Sequence, residues 1–444
     1  MTTERQRIML ELELINVEQQ LVLLKSLQRK CQQREPEPRR CFRKKKKEKV
    51  RIRQRRWCVQ PRNLARPEEG EYCVVSKALN DIDDEMLFGY FHMSADKFVE
   101  LVGRLQPFIK HQCTHMMPID VRQRVAIALR FLASGESQKH VAASYKLASS
   151  TVSSIVSEVC KALWKALQTE FIPCPSVAQW EAIKADFWQQ WSFPNCVGSI
   201  DGKLVNLRSP RGKGSSQVKN APPIAFVATC DARYRFTMVE VETYAQESDG
   251  DIFKNSTLGS KLLEEKLDLP PPTSLPESAI SVPHVFVADA AFPLHNNLMR
   301  PFQGINLSTE KQTYNLHHSR VRRVMENTLG ILVARWRVLS RPLEFFPDKA
   351  IHVLKACIVL HNFLTSADDV DAPGPKYISA NFADTDTLGS IQPGEWRTVV
   401  TGDTNLLDPV GPQYLSRSHS KCDGIGVRNH LMTFFHSFHE VFPL

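Results

Sequence analysis

The stretch CVGSIDGK, residues 196–203, contains a short apolar run that ends abruptly at Asp201. A second stretch, HVFVADAA at residues 284–291, ends its apolar run at Asp289 in the same way. Short apolar runs predict buried β-strands, and a carboxylate directly after such a strand lies at the carboxyl edge of the sheet. The two stretches therefore predict an α/β fold with acidic side chains at the edge of its sheet.

Two further acids lie in strings of a different character. Glu326 lies in HHSRVRRVMENTLG, residues 317–330, where apolar residues recur at helical spacing. Asp249 lies in the loop-like ESDGDIF, residues 247–253, and is either a further ligand or the cap of the following helix. Carboxylates from two strands and a helix can hold two divalent cations for phosphodiester cleavage. Each acid alone has a plainer interpretation as a turn or helix-cap residue.

The strings around these acids resemble the catalytic part of PIF/Harbinger transposases and of the nucleases that vertebrates have derived from them. The resemblance covers about residues 80 to 365, in the family's order. It is carried by NCVGSIDGKLV, SDGDIFKNSTLG, VADAAFPLHNNLMRPF, YNLHHSRVRRVMENTLGILVARWRVLSRPL and VLKACIVLHNFL.

The resemblance implies an RNase H-like catalytic domain and a DDE-type DNA endonuclease that uses Mg²⁺ or Mn²⁺. The acids that match the family's motifs are Asp201, Asp249, Asp289 and Glu326. The RNase H arrangement favours Asp201, Asp289 and Glu326 as the catalytic triad, although Asp249 remains an alternative to Asp289. The family also works with a separate Myb-like DNA-binding protein, which is an expected partner.

Positive charge is concentrated at the start of the chain. Residues 1–66 hold 20 Lys and Arg against 7 Glu, a net charge of +13, whereas the whole chain is +9. A cationic arm is typical of proteins that bind nucleic acid, because each Lys or Arg on a phosphate releases condensed counterions. Its densest part also fits a nuclear localisation signal, which predicts a nuclear protein that can also reside in the cytoplasm. The residues of that signal are Arg43, Lys44, Lys45, Lys46, Lys47 and Lys49. A solvated tail with neither role is the alternative.

Residues 1–31 are predicted to form an amphipathic helix with a short heptad pattern. The pattern consists of Leu10, Leu14, Val17, Leu21 and Leu24. It suits a homodimer contact or partner docking, and equally a single helix packed on the body. Residues 32–78, rich in Pro, Arg and Glu, are predicted to be a basic flexible linker.

Residues 79–172 are predicted to be an all-α domain that contains a helix-turn-helix motif. A short helix at about 138–145 precedes a recognition helix that starts at Ser149 or Ser150. Hydroxyl side chains occupy the first turn, so strong base readout is not expected. The candidate DNA-binding residues of this domain are Gln138, Lys139, Lys146, Ser150, Thr151 and Ser153.

Residues 177–365 are predicted to be the catalytic domain, with strands at 196–200, 224–229, 236–241 and 284–288 and helices near 252–266, 318–338 and 348–365. Arg320, Arg322 and Arg323 are candidate phosphate ligands, and Arg322 is the first choice for pairing with Glu326. His361, Asn362 and Trp336 are predicted to be structural. Residues 366–444 are predicted to be a mostly flexible tail.

Composition agrees with an intracellular protein of two or three domains. The 444 residues are 42% hydrophobic, and eleven cysteines form no C-x-x-C pair, which indicates reduced thiols. The sequence shows neither a membrane span nor a secretory signal. Departures from the family, such as Leu204 after the DGK string, leave two functions open. One is an active endonuclease, and the other is a catalytically inactive DNA-binding or chromatin-associated protein. A nuclear interaction protein that touches no DNA is a third alternative.

Overall fold

The structure is a computed structural model that describes residues 59–109, 118–208, 220–242, 253–366, 375–387, 390–400, 404–408 and 422–441. The predicted helix at 1–31, the nuclear localisation signal at 43–49 and the candidate ligand Asp249 lie outside these residues. The described residues up to 441 belong to a single compact unit that begins at Val59.

Eight helices precede the first strand in the described part of the chain, after a 3-10 turn at Pro61–Asn63. Ser, Asp and Gln side chains fix several of their starts. Ser176 and Gln179, for example, form a reciprocal capping box that closes the first turn of α8. The helices are α1 (Arg66–Glu69), α2 (Tyr72–Asp81), α3 (Asp84–Phe91), α4 (Ala95–Leu105), α5 (Val121–Ser134), α6 (Gln138–Ser144), α7 (Ser149–Phe171) and α8 (Val177–Trp191).

The predicted flexible linker ends earlier than expected, because residues 61–78 are helical. Val75 and Ala78 of α2 are buried, and the Glu71 carboxylate accepts a hydrogen bond of 3.0 Å from Arg130 on α5. Composition alone favoured a linker there, since Pro and charged residues dominate the local sequence. The apolar residues at helical spacing in α2 decide otherwise.

A six-stranded mixed sheet follows, with the order β3-β2-β1-β6-β7 and a short strand β10 paired with β1. β1, β2 and β3 are antiparallel, whereas β6 runs parallel to β1, and β7 runs parallel to β6. The α/β expectation is therefore confirmed. The strands of this sheet are β1 (Cys196–Arg208), β2 (Asn220–Cys230), β3 (Phe236–Glu242), β6 (Val285–Val287), β7 (Leu298–Met299) and β10 (Leu406–Leu407). Two small hairpins lie outside it, formed by β4 (Thr273–Ser274) with β5 (Ser281–Val282) and by β8 (Thr385–Thr387) with β9 (Ser390–Gln392).

Helices pack against the sheet and bury its apolar side chains. α8, α10 (Thr309–Arg335) and α11 (Pro347–Thr365) contact its strands, and α11 also packs along α7. The remaining helices are α9 (Thr257–Leu263), α12 (Trp396–Val399) and α13 (Cys422–Val441), with a 3-10 turn at Arg337–Ser340. None of the described helices is long and apolar enough to cross a membrane.

α11 ties the helical region to the sheet through two buried polar side chains. Asn362 accepts a hydrogen bond from the Phe236 backbone N–H (2.9 Å) and donates to the carbonyls of Phe236 and Phe171 (2.7 Å each). His361 contacts the carbonyl of Tyr234 through Nε2 (2.7 Å) and the hydroxyl of Tyr377 through Nδ1 (3.1 Å). The predicted structural roles of His361 and Asn362 are confirmed, as is the burial of Trp336.

The predicted flexible tail is in large part folded, which corrects the expectation for residues 366–444. Tyr377, Phe382 and Leu406 are buried, and Leu431 and Phe435 of α13 are fully buried. The Phe435 ring stacks on His317 of α10 with 4.3 Å between ring centroids. These contacts join residues far apart in sequence, so the local abundance of Asp, Gly, Pro and Ser did not reveal them.

The buried His361 side chain should make the fold less stable in mild acid. Burial lowers its pKa from 6.5 to about 4, so the fold binds this proton less tightly than the unfolded chain does. The stabilisation is present above pH 6.5 and is lost as the pH falls towards 4. Between about pH 7 and about pH 5 this single group should remove about 2 kcal/mol from the free energy of unfolding. Urea unfolding of His361→Gln should show a pH dependence weaker by that amount. His140→Gln, at an exposed site, is the control, and an unchanged pH dependence in His361→Gln would contradict the assignment.

Candidate active site

The register between β1 and β6 places two of the predicted acids side by side. Ser199 of β1 is paired with Val287 of β6 in the parallel ladder. Asp201 and Asp289 each follow a member of this pair by two residues, so Asp289, just past the end of β6, lies near the level of Asp201 on β1. The negative charge of Asp289 is close enough to raise the pKa of Asp201. The structure thus brings Asp201 and Asp289 together.

β1 does not end at Asp201, which differs from the sequence expectation. The strand continues to Arg208, because β2 pairs with it throughout and β10 pairs with it at Leu204 and Val205. β6, in contrast, ends at Val287. Asp201 therefore lies in the middle of its own strand, yet beyond the end of its parallel neighbour, where a carboxylate reaches the open edge.

Lys203 compensates the charge of Asp201, whose residue is 8% exposed. Side chains two residues apart on a strand share a face, and the Lys203 Nζ lies 2.9 Å from Asp201 Oδ2. The Gly202 N–H donates to Asp201 Oδ1 at 2.8 Å. Burial raises the pKa of Asp201, and Lys203 only partly offsets this. The Lys203 ammonium also contacts Asp408, directly after β10.

Asp289 lies in a turn that fixes its carboxylate. The Ala291 N–H donates to Asp289 Oδ1 at 2.8 Å, and the Phe292 N–H donates to the Asp289 carbonyl at 3.3 Å. This side-chain turn directly after β6 stops the strand and holds one carboxylate oxygen. Asp289 is half-buried, so the carboxylate is reachable from solvent.

α10 carries His318, Arg322 and Glu326 at intervals of four residues, which places them along one stripe of the helix. His318 is buried against the Met299 carbonyl (3.4 Å from Nε2), and burial lowers its pKa to about 3. The charge of Arg322 lowers the pKa of Asp201, which places this stripe beside the two aspartates. Glu326, which is exposed, accepts a hydrogen bond of 3.1 Å from Arg322 Nη2. The predicted pairing of Arg322 with Glu326 is confirmed.

The donor chemistry of this edge fits a divalent cation in part. Asp201 and Asp289 offer oxygen ligands of the kind that Mg²⁺ and Mn²⁺ prefer, and their mutual repulsion favours a cation between them. Arg322 instead holds the Glu326 carboxylate. Among the described residues, no three His, Cys, Asp or Glu side chains lie close enough together to hold a metal ion. Glu326 would serve as a third carboxylate ligand only after giving up its hydrogen bond with Arg322.

Arg320 and Arg323 lie on another side of α10 and contact the folded tail. Arg320 Nε and Arg323 Nη1 both donate to Asp386 Oδ2, at 3.0 and 3.2 Å. Asp384, whose side chain is fully buried, accepts two hydrogen bonds from Arg397, and its backbone pairs with Asn327. These arginines therefore hold the tail against the helix that carries Glu326.

The sequence interpretation did not assign roles to Lys203, Asp384, Asp386 and Asp408. A usable signal existed for Lys203, because the strand period places it on the face of Asp201. Phe382, Ala383 and Asp384 are all buried, although that segment resembles a polar loop in composition. Nothing local marks Asp408, since β10 pairs with a strand two hundred residues earlier.

The candidate residues of the helical region occupy two places. Lys139 is exposed and Gln138 is partly exposed in the first turn of α6, and Lys146 in the following turn contacts Glu69 at 3.1 Å. Ser150 and Ser153 lie in the first turns of α7 and line a groove that does not include Gln138. Thr151 is partly buried beside them.

Comparison with known proteins shows what the region around this edge is similar to. Residues 200–362 match the sequence model of a family described as DDE superfamily endonuclease, a range that contains Asp201, Asp289 and Glu326. Over this range the chain is similar to Harbinger-derived DDE nucleases. The resemblance seen in the sequence is thus confirmed.

Several relatives of this chain are named for nuclease or chromatin-related functions. The protein named Putative nuclease HARBI1 of Rattus norvegicus is 26% identical over 290 residues, which is 64% of this chain and 78% of the relative. Protein ALP1-like of Arabidopsis thaliana is 29% identical over 265 residues, 57% of this chain and 62% of the relative. The Arabidopsis thaliana protein named Antagonist of Like Heterochromatin Protein 1 is 28% identical over 300 residues, 61% of this chain and 71% of the relative. No solved structure matches the chain. These matches support a nuclease of the DDE superfamily.

Proposed function

We propose that this protein is a divalent-metal-dependent DNA endonuclease that hydrolyses phosphodiester bonds at the edge formed by β1 and β6. The observation that carries the proposal is that Asp201 on β1 and Asp289, directly after the end of the parallel strand β6, lie close together inside the region that matches the endonuclease family. The two carboxylates repel each other, since the charge of Asp289 raises the pKa of Asp201, and a bound cation would relieve this repulsion.

The topology supports an RNase H-like catalytic domain. The three acids lie on β1, directly after β6, which neighbours β1, and on α10. Three antiparallel strands followed by two parallel ones place β6 directly beside β1, although β2 and β3 lie between them in sequence. This crossover is what brings Asp201 and Asp289 to one edge.

The chain's own residues would divide the work as follows. A bound Mg²⁺ or Mn²⁺ supplies an activated water and stabilises the leaving oxygen. Asp201 and Asp289 are the residues that would hold it, with Glu326 as the third ligand once its contact with Arg322 is given up. Arg322, released from Glu326, is then placed to bind a phosphate oxygen of the substrate. Lys203 would partly offset the cost of burying the negative charge of Asp201 before a cation is bound.

DNA recognition is proposed to use the helix-turn-helix formed by α6, the turn at Lys146 and α7. Gln138, Lys139 and Lys146 would contact phosphates, and the hydroxyls at the start of α7 would lie in or beside the major groove. We further propose that the basic arm directs the protein to the nucleus and adds nonspecific DNA affinity. A Myb-like partner would supply sequence specificity, and the amino-terminal heptad pattern would serve in pairing with a partner or a second copy.

The direct test is metal-dependent cleavage of supercoiled plasmid by purified protein. We expect nicking with Mg²⁺ or Mn²⁺ but not in EDTA, and a loss of about a hundredfold or more in rate for Glu326→Gln, because a neutral amide is a poor ligand for a divalent cation. Glu310→Gln is the matched control, since it makes the same change at a partly exposed position in the first turn of the same helix. If the parent shifts DNA in a gel but cuts in no metal, the protein is an inactive DNA-binding relative and the enzyme proposal is wrong.

A further inference from the structure

We propose that a groove between α5, α7 and α11 is a second DNA-backbone site, separate from the acidic edge. This groove, which we call the phosphate groove, has a volume of about 580 Å³. Four serines of α7 line one wall, and Arg124, Lys161 and Lys349 add positive charge. The proposal deepens the proposed function, on which it rests for the nature of the ligand.

The serine wall is a regular feature of α7. Ser150, Ser153, Ser154 and Ser157 are spaced by three and four residues, so their hydroxyls share one face of the helix. Serine is a poorer helix former than alanine by about 0.5 kcal/mol per residue, so four on one face weaken the helix. Packing does not require them, because the apolar side chains of α7 are buried on its other face. A row of hydroxyl donors is what a polyanion would use.

The cations make the groove positive. Lys161 continues the serine face one turn beyond Ser157, and Lys349 enters from the first turn of α11. The lining holds a single carboxylate, that of Glu158, and Arg124 Nη1 pairs with it at 2.6 Å. No ion pair of Lys161 or Lys349 is found within the part of the chain that the structure describes. The two lysines thus leave the lining with a net charge of +2.

The pKa of a neighbouring histidine is lowered by the positive charges in and beside the groove. Burial lowers the pKa of His352 on α11, and the charges of Lys161 and Lys355 lower it further, while only Asp348 acts in the opposite direction. Cationic side chains of α7 and α11 therefore lie close enough to influence each other. A phosphate placed between them would relieve this repulsion.

The chemistry of the lining selects the DNA backbone over other ligands. No aromatic or aliphatic side chain lines the groove, so it offers neither a stacking platform for unpaired bases nor an apolar anchor for a peptide. Hydroxyls and ammonium groups are the usual donors to phosphate oxygens. Because Lys349 belongs to the region matched to the endonuclease family, a strand in this groove would contact both the helical and the catalytic parts.

The test is the salt dependence of duplex DNA binding by the full chain, measured by fluorescence anisotropy in EDTA. Lys161→Ala combined with Lys349→Ala should reduce the slope of log K against log salt by about 1.8, because each lost phosphate contact removes about 0.9. Affinity at low salt should fall about tenfold or more. The matched control is Lys77→Ala combined with Lys261→Ala, two exposed lysines outside the groove, which should leave the slope unchanged.

The outcomes separate this inference from the nuclease proposal. The groove inference is wrong if the groove variant and the parent show equal slopes of log K against log salt. It is also wrong if the parent binds no DNA. The groove is also overturned if poly-glutamate competes as well as DNA does, because it would then be a general anion surface. Plasmid cleavage is scored independently, so a groove that binds DNA in a protein that never cuts leaves the inference standing while the nuclease proposal fails.

Discussion

Replacing Asp201 with Asn should reduce metal-dependent cleavage by about a thousandfold or more, because the substitution removes an anionic ligand where a cation must stabilise several kcal/mol of developing charge. The fold should tolerate the change. Burial raises the pKa of Asp201, so the ionised carboxylate is disfavoured at this position even with Lys203 beside it. We therefore expect a Tm no lower than that of the parent, together with unimpaired DNA binding in EDTA.

The control for this variant is Asp268→Asn, an identical change at an exposed position away from the edge. Asp289→Asn should reproduce the loss, because Asp289, directly after the end of β6, lies beside Asp201 of β1 and would hold the same cation. Cleavage by Asp201→Asn at the parent's rate, with either cation, would exclude this edge as the reaction centre. A loss of cleavage accompanied by a falling Tm would instead indicate damage to the fold.

Asn362→Ala should be the most destabilising single substitution that we consider. It removes three hydrogen bonds at once and leaves the buried Phe236 N–H, Phe236 carbonyl and Phe171 carbonyl without this partner. Unsatisfied buried groups cost about 1 to 3 kcal/mol each, so we expect a loss of about 3 kcal/mol or more in the free energy of unfolding. Urea denaturation measures it directly.

Two further variants serve as comparisons for Asn362→Ala. Asn362→Asp keeps the acceptor for the Phe236 N–H but loses both donors, so it should remain unstable. Thr365→Ala removes one hydrogen bond, to the His361 carbonyl (2.8 Å), on the next turn of the same helix, and should cost about 1 kcal/mol. If Asn362→Ala and Thr365→Ala unfold at the same urea concentration, the link between α7, β3 and α11 does not contribute as described.

Local patterns predicted those parts of the molecule that local geometry determines. The strand before Asp289 and the helix around Glu326 follow from apolar spacing, and the Arg322–Glu326 contact follows from helix periodicity. α6 and the start of α7 also lie close to their predicted positions. Each of these features depends on residues within one or two turns, or within one strand, of each other.

The features that escaped prediction all depend on pairing across long sequence separations. The length of β1 could not be read from its own residues, because β2 and β10 decide where it ends. The contact between Lys203 and Asp408 spans two hundred residues. Asp384 and Asp386 lie in a polar stretch that has no reason to fold until it meets Asn327, Arg320 and Arg323 on α10. Composition describes a segment's preferences but not its partners.

The attachment of the tail to α10 changes what counts as the smallest working piece of this protein. A recombinant fragment that stops at residue 365 would contain the three acids of the proposed site, yet it would strip Asp386 from Arg320 and Arg323 and would leave the buried face of α10 open to water. Replacing Asp386 with a neutral residue would likewise remove the carboxylate that both guanidinium groups contact, beside the stripe that carries Glu326. The folded unit that carries the proposed site therefore extends to the end of α13.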